Sequence, residues 1–551
     1  MQIFRPFSPV SLTIARLSAI SALALTSICL PAVAQNPHTA DPTILTSPSV
    51  SYGDGTATSI TVKGMRKGQN TGPRDNKPLK LYSGAKNGKP GGGGTSTDGA
   101  LQSTAFTSAG TIAKNLNFEG VGAGFPNFTV NSAPPDTNGA VGATQYVQWV
   151  NESFSVFDKS TGAIIQGPIP GNQLYQSLGS THPCAVNNDG DPIAQYDKAN
   201  QRWIMTQFSV TNGSTSGYYQ CVAVSKTSDA TGAYSVYAYK QPAFNDYPKV
   251  GVFNGNYFIT YNIFNGNTFG GARLCAYDGA AMRAGTSAQE QCFQLSTSYA
   301  GILPGDVDGT IAPPSGASEY FLGFGSNLLN AWRMHVDFTS SANTTLAGPY
   351  TTAVATFAEA CSGGTCLPQP GTSQQLDSLG DRLMYRLSYR HFTDGHEALL
   401  VNHSVNPGAV AAGARWYELR PASGGTTGVT VYQQSTYAPN DGLSRWLGSI
   451  ASDKNGNIAM GYSTTSSSAY PSINYSYRTP ADTLNRLGSE QTLQTGTGAQ
   501  QRTLSRWGDY SAMTVDPVDD CTFWYTSEYL TTNGTFNWHT RIGSFKLAGC
   551  Q

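Results

Sequence analysis

Charge is scarce in this chain: Asp, Glu, Lys and Arg make up only 12% of its 551 residues, against ~25% in an ordinary soluble protein. The two signs nearly cancel, with 33 Lys+Arg against 34 Asp+Glu. Such a chain raises no field to gather polyanions or anionic lipid, so nucleic acid and membrane surfaces are excluded as partners. After residue 34 no segment reaches the ~18 apolar residues of a membrane span, and long helical patterns are nearly absent. There is no Cys-x-x-Cys and no His-Glu-x-x-His, and His182, His335, His391, His396, His403 and His539 show no regular ligand spacing. A Gly-x-Ser-x-Gly elbow, a Walker loop and a dinucleotide fingerprint are missing too. Serine-hydrolase, nucleotide and nicotinamide chemistry are thereby disfavoured.

The N-terminus reads as an export signal over residues 1–34. Arg5 and Arg16 supply the basic region, Leu17 to Leu30 the apolar stretch, and Ala32-Val33-Ala34 a small-x-small cleavage site. The apolar run is too short to cross ~30 Å of hydrocarbon, and Ile28 before Cys29 does not suit lipid attachment. A secreted or periplasmic location follows. Residues 35–114 are rich in Ser, Thr, Gly and Pro, with a low point at Gly84–Gly99 that includes the run Gly91-Gly92-Gly93-Gly94. That composition cannot offset its ordering entropy. It is read as a disordered, flexible leader with one short strand around Ser59–Val62, suited equally to a tether or a degenerate pro-segment.

Eight cysteines remain once Cys29 is removed: Cys184, Cys221, Cys275, Cys292, Cys361, Cys366, Cys521 and Cys550. An even number in an exported chain points to disulfides, and sequential pairing is the simplest connectivity. From about residue 115 onward, short runs of Val, Ile, Tyr, Phe and Trp alternate with Gly, Asn, Asp and Pro turns. Leu383, Tyr385, Leu387 and Tyr389 share one strand face with Arg386 and Arg390 opposite, and Asp453–Asn457 forms a hairpin turn. The Ala-rich stretch Gly279–Ala284 is too short and unpatterned for a helix and is left as a loop.

A repeat organises these strands. Asp-containing turns precede an apolar strand at Asp136, Asp191, Asp246, Asp308 and Asp381, and two further members are centred on Arg445-Trp446 and Arg506-Trp507, at intervals of 55 to 73 residues. Each interval has room for four strands and their turns, which is one propeller blade. The expected fold class is all-β, a β-propeller of seven four-stranded blades over residues 115–551. An array of two-sheet sandwiches, or a ring of six or eight blades, remains open.

The phrases PPDTNGAVGATQYVQWVN, GDPIAQYDKANQRW, NDYPKVGVFNGNYFIT, LDSLGDRLMYRLSYR, RWLGSIASDKNGNIAMGYS and RWGDYSAMTVDPVDDCTFWYTSEY resemble a bacterial family of large exported, sialidase-like β-propeller proteins. The resemblance spans residues 115–551 and implies the fold, while the family brings no assigned reaction. The sialidase Asp-box, Ser-x-Asp-x-Gly-x-Thr-Trp, is absent, with only a loose relative at Ser452–Asn457.

In a propeller the first strand of each blade lines the central channel, so the residues before it surround one mouth. The candidate catalytic residues are Asp191, Asp246, Asp308, Asp381 and Asp509, joined by Asp136 in the same ring. Paired carboxylates serve glycosidic cleavage as acid and as base or nucleophile, while a ring of them can also hold Ca²⁺ or simply cap turns. Arg382, Arg445 and Arg506 are candidates for a substrate carboxylate, because guanidinium forks bind one bidentately. Trp446, Trp507 and Tyr510 are read as substrate-binding aromatics, and Tyr510, Tyr525 and Glu528 can be cast as a tyrosine nucleophile with its support. Asn187–Asp191 has the look of a calcium loop, with Asp189 and Asp191 as ligands, but lacks the downstream Glu of an EF-hand. The expected function is binding, with possible hydrolysis, of an extracellular acidic glycan by a monomer. The alternative is a non-catalytic surface or adhesion protein that meets another surface protein.

Overall fold

A computed structural model describes residues 47–54, 60–65, 75–76, 97–422 and 427–551. The signal read at residues 1–34 and the glycine run at 91–94 lie outside the described residues. The chain is all-β, and its longer strands run in antiparallel sets, two of which join into one nine-stranded sheet where Leu303–Asp308 pairs in parallel with Met384–His391. The first set is Asn138–Val141, Gln145–Val150, Ser153–Asp158 and Ile164–Pro170. The next three sets open at Ile193–Asp197, Phe244–Phe253 and Leu303–Asp308, and the fifth and sixth at Met384–His391 and Ser444–Ser452.

The seventh set holds Ala512–Val515, Thr522–Tyr529 and His539–Leu547, and its fourth strand comes from the opposite end of the chain. Ile112–Glu119 pairs antiparallel with His539–Leu547, in register from Arg541 opposite Glu119 to Leu547 opposite Ile112. The 114/115 boundary expected from composition therefore cuts through a strand. The seven opening strands touch in chain order, and Ala512–Val515 touches Asn138–Val141.

Local chemistry explains these elements. Phe244–Phe253 and Asn256–Asn265 are joined by Asn254 and Gly255 at φ 47° and 72°. That is the doubly left-handed turn whose twist suits a two-residue hairpin. Opening strands have both faces covered, so they lose the apolar–polar alternation of a half-exposed sheet: all nine residues of Ser444–Ser452 are buried. The largest apolar cluster runs through the second to fifth sets, from Ile193 to Val429, and takes in Tyr510.

Three short described segments of the leader are held by outer strands, one of them Ile60–Thr61, within the strand expected around Ser59–Val62. Ser49–Tyr52 pairs with Gln289–Gln294, Ile60–Thr61 with Ala233–Gln241, and Leu101–Gln102 with Val429–Tyr437. These segments have little core of their own. They borrow ladder partners from outer strands and cover edges that would otherwise recruit another chain. A second correction concerns Gly279–Ala284, which is an α-helix: Asp278 accepts from the Ala281 amide at 2.9 Å, Met282 is buried, and Gly285 closes the end at φ 71°. Capping at both ends makes a helix of a run with no readable periodicity.

The disulfides pair sequentially as Cys184–Cys221, Cys275–Cys292, Cys361–Cys366 and Cys521–Cys550, which fits an oxidising compartment. Cys361–Cys366 lies in the segment between the fourth and fifth sets, and Cys521–Cys550 ties the chain's last turn to the seventh. Among the described residues no helix is long and apolar enough to cross a membrane.

Candidate active site

The site is built where the opening strands begin. Six of the seven leading segments place a non-glycine residue in the left-handed region: Asp136 (φ 48°), Asp191 (48°), Tyr247 (55°), Leu379 (45°), Leu447 (51°) and Asp509 (60°). Such backbone costs on the order of 1 kcal/mol or more per residue and persists only where surrounding packing imposes it. In Phe244–Phe253 the ladder slips between Asp246 and Lys249. A bulge of this kind turns side chains that a regular strand would send to alternate faces.

Five leading segments bring charge together at this point. Asp246 keeps partial solvent contact. Burial pushes its carboxyl up to about 7, the Asp191 charge pushes the same way, and Arg382, Arg506 and Lys249 pull against them. Neither the Asp191 nor the Asp246 side chain makes a hydrogen bond or ion pair with any described residue.

Lys249 is fully buried. Its Nζ donates to the Pro248 carbonyl at 2.9 Å and rests 3.4 Å from the ring centroid of Tyr247 and 4.1 Å from that of Tyr510. Desolvation lowers it to about 7, against the pull of Asp191, Asp136 and Asp246. Two aromatic faces thus take the place of a carboxylate as its nearest neighbours.

The two arginines are held by carboxylates of their own. Arg382 grips Asp381 through Nε (2.8 Å) and Nη2 (3.1 Å), with its guanidinium 4.7 Å from the Tyr247 ring centroid. Arg506 grips Asp509 the same way, Nε to Oδ1 at 2.9 Å and Nη2 to Oδ2. Tyr510 is buried and donates to the Pro192 carbonyl at 3.0 Å. Behind them Glu528 accepts from the Gly508 amide at 2.6 Å, and burial holds its carboxyl well above the usual range. The arrangement pairs a carboxyl that keeps its proton near neutrality with a second, uncommitted carboxylate, which is the pattern that divides acid from base roles.

Several expected residues stand elsewhere. Asp308 ends its strand instead of preceding it. Asp306, two residues earlier, accepts from the Val252 amide at 3.1 Å, so Asp308 lies about 26 Å along the strand direction from Asp246 at ~3.3 Å per residue. There Arg386 (2.5 Å) and Lys198 (2.9 Å) neutralise it, and they hold its carboxyl below the usual range. Arg386 also bonds Asp306 at 2.6 Å and the Met513 carbonyl at 2.9 Å, forming a buried structural tie.

Arg445 is spent on Asp441 (2.6 Å) and Glu490 (2.7 Å). Trp446 and Trp507 are buried against one another at 6.1 Å and offer no platform to a ligand. Asp381 and Asp509 are each neutralised by the adjacent arginine. Tyr525 is buried and bonds Ser511 Oγ at 3.1 Å. Asp189 accepts from the Val210 (2.6 Å) and Thr211 (2.9 Å) amides, so it caps a turn. Among the described residues the one His, Cys, Asp or Glu group compact enough for an ion is Cys275, Glu290 and Cys292, whose cysteines are joined to each other.

Tyr247 and Lys249 were not singled out by sequence reasoning. Their signal is faint: a lone lysine in an otherwise apolar strand, next to Asp246 and Pro248.

No family model and no curated protein matches the chain, so the family resemblance read from its motifs has no sequence-level support. Solved structures give weak likenesses. A protein of unknown function from Dyadobacter fermentans is 10% identical, with a TM-score of 0.34, over 65% of this chain and 94% of that one. A subtype N10 neuraminidase-like protein of A/little yellow-shouldered bat/Guatemala/060/2010 is 11% identical, with a TM-score of 0.31, over 62% and 93%. A polysaccharide lyase, a PL25 ulvan lyase, is 10% identical, with a TM-score of 0.31, over 77% and 97%. Likenesses this distant carry no functional assignment, which rests on the residues above.

Proposed function

We propose that this is an exported, monomeric seven-bladed propeller, closed by Ile112–Glu119, that binds an extracellular acidic glycan at the Asp191–Asp246 mouth and hydrolyses it. The observation that supports this most is the pair itself. Among the described residues, two carboxyl groups at the solvent boundary have no side-chain hydrogen bond or ion pair, and one is held at about 7 by burial and by its neighbour. In this reading Asp246 donates its proton to the leaving glycosidic oxygen, and Asp191 acts on the sugar ring as base or nucleophile. Arg382 and Arg506 supply positive potential for a carboxylate on the substrate. Buried Lys249 tunes Asp246 as the charges redistribute.

The non-catalytic reading expects every carboxylate at the mouth to be neutralised and aromatic platforms to be exposed. Asp381 and Asp509 meet the first condition, whereas Asp191, Asp246, Trp446 and Trp507 do not. The test is a hydrolysis and binding screen with uronate-containing oligosaccharides and their carboxyl-reduced counterparts. Asp246→Asn is expected to bind the acidic oligosaccharide but not cleave it, and Arg506→Ala to bind it more weakly. Binding without cleavage by the unaltered protein returns the protein to the adhesion class, and equal affinity for the reduced forms removes the acidic substrate.

A further inference from the structure

At the other end of the strands from Asp246, a cavity of about 510 Å³ opens between the fifth and sixth sets, lined among others by Phe392, His396, Arg420, Tyr432, Lys454 and Arg478. Arg382 stands before the strand Met384–His391 and Phe392 just after it, so eight residues, or about 25 Å at ~3.3 Å each, separate the two places. The volume falls within the ~300–1,000 Å³ of small-ligand sites and suits one or two sugar rings.

Arg478 is 2% exposed and makes a single hydrogen bond with described residues, from Nη2 to the Asp482 carbonyl at 2.8 Å. Its Nε is buried with no acceptor, as is the Nε of Arg420 and the Oγ of Ser452 beside them. Unmet donors of this kind are rare and costly in a native interior unless a ligand completes them. Arg420 lies 4.5 Å from the ring centroid of Tyr432, which is 49% exposed, and shares its Nη2 edge with Glu418. Phe392 and His396 stack at 4.3 Å on the opposite lip. The lining cations Arg420, Arg478 and Lys454 outnumber the carboxylates Asp394 and Glu418. Burial lowers both arginines from their usual value, which an arriving anion would relieve.

We propose that this cavity is a second binding site, for one carboxylate-bearing sugar: the carboxylate meets Arg478 and Arg420, and the ring rests against Tyr432. The site is independent of the cleavage chemistry assigned to Asp246, although a polymer long enough could engage both.

The test uses the full secreted chain and titrates free glucuronate, glucose and inorganic sulfate by calorimetry and saturation-transfer NMR. Glucuronate is expected to bind the unaltered protein and Arg506→Ala alike. Arg478→Gln is expected to weaken it at least tenfold and Tyr432→Ala severalfold. Tyr432 is exposed, so that variant stays informative if Arg478→Gln fails to fold. No glucuronate binding at millimolar concentration overturns the proposal. So does binding of glucose or sulfate as tight as glucuronate, or loss of glucuronate binding in Arg506→Ala with Tyr432→Ala unaffected. The last result would place the sugar at the mouth alone, leaving the hydrolytic reading intact.

Discussion

Replacing Asp246 by Asn is expected to change the pH dependence of stability in a defined window and direction. A carboxyl held at about 7 against an ordinary 3.8 makes the native chain bind more protons than the unfolded chain between those values. Stability therefore falls as pH rises through that window and is flat above it. At about 1.4 kcal/mol per pH unit, the drop from this one group approaches about 4 kcal/mol by pH 7. Glu319, Glu528 and Asp306 are also raised by burial and slope the same way, so the informative quantity is the difference between protein and variant. Lys249 acts with the opposite sign: its lowered value adds stability as pH rises from about 7 toward 10.5, so it touches only the last step of the range used. Urea unfolding at half-unit steps from pH 4 to 7.5 is the assay. Asp246→Asn is expected to gain on the unaltered protein steadily, by several kcal/mol at the top of the range. In an Asp191→Asn background the gain shrinks, because the neighbouring charge is the second cause of the shift. Parallel curves for protein and variant would refute the reasoning.

Three further outcomes follow from the fold. Arg386→Met leaves Asp306 and Asp308 buried without their shared partner and is expected to cost about 3–5 kcal/mol in urea unfolding, since half of a buried ion pair is worse than none. Replacing Cys521 and Cys550 together by Ala opens a loop with a sequence separation of 29 and should lower stability by about 3.5 kcal/mol on the chain-entropy relation, read from the denaturant midpoint. A chain beginning at residue 121 strips the partner from His539–Leu547; size-exclusion chromatography should show concentration-dependent association through that bare edge.

The strands and their grouping were legible because β-rich runs and Asn, Asp and Gly turns report local geometry directly. Asp136, Asp191 and Asp246 each mark the true start of a set. Asp308 misled because Gly-Asp-Val-Asp-Gly imitates those turns, whereas it closes a strand that begins at Leu303. Arg445 and Arg506 share an Arg-Trp motif but part company in space. Glu490, three strands away in the same set, claims Arg445, and nothing local to the motif records that. The pairings of Ser49–Tyr52 and Leu101–Gln102 were not legible because composition measures the core a segment can build alone and is blind to an edge it can borrow. Lys249 went unseen for a related reason: a lone lysine in a strand reads as a solvated face until the bulge after Asp246 turns it onto Tyr247 and Tyr510.

The measurement that bears most directly on the account is the rate of reducing-end release from a uronate-containing oligosaccharide by the unaltered protein and by Asp246→Asn, at equal and saturating substrate. Loss of a positioned general acid predicts a fall in kcat of at least about a hundredfold with affinity retained. Equal rates in the two proteins would contradict it.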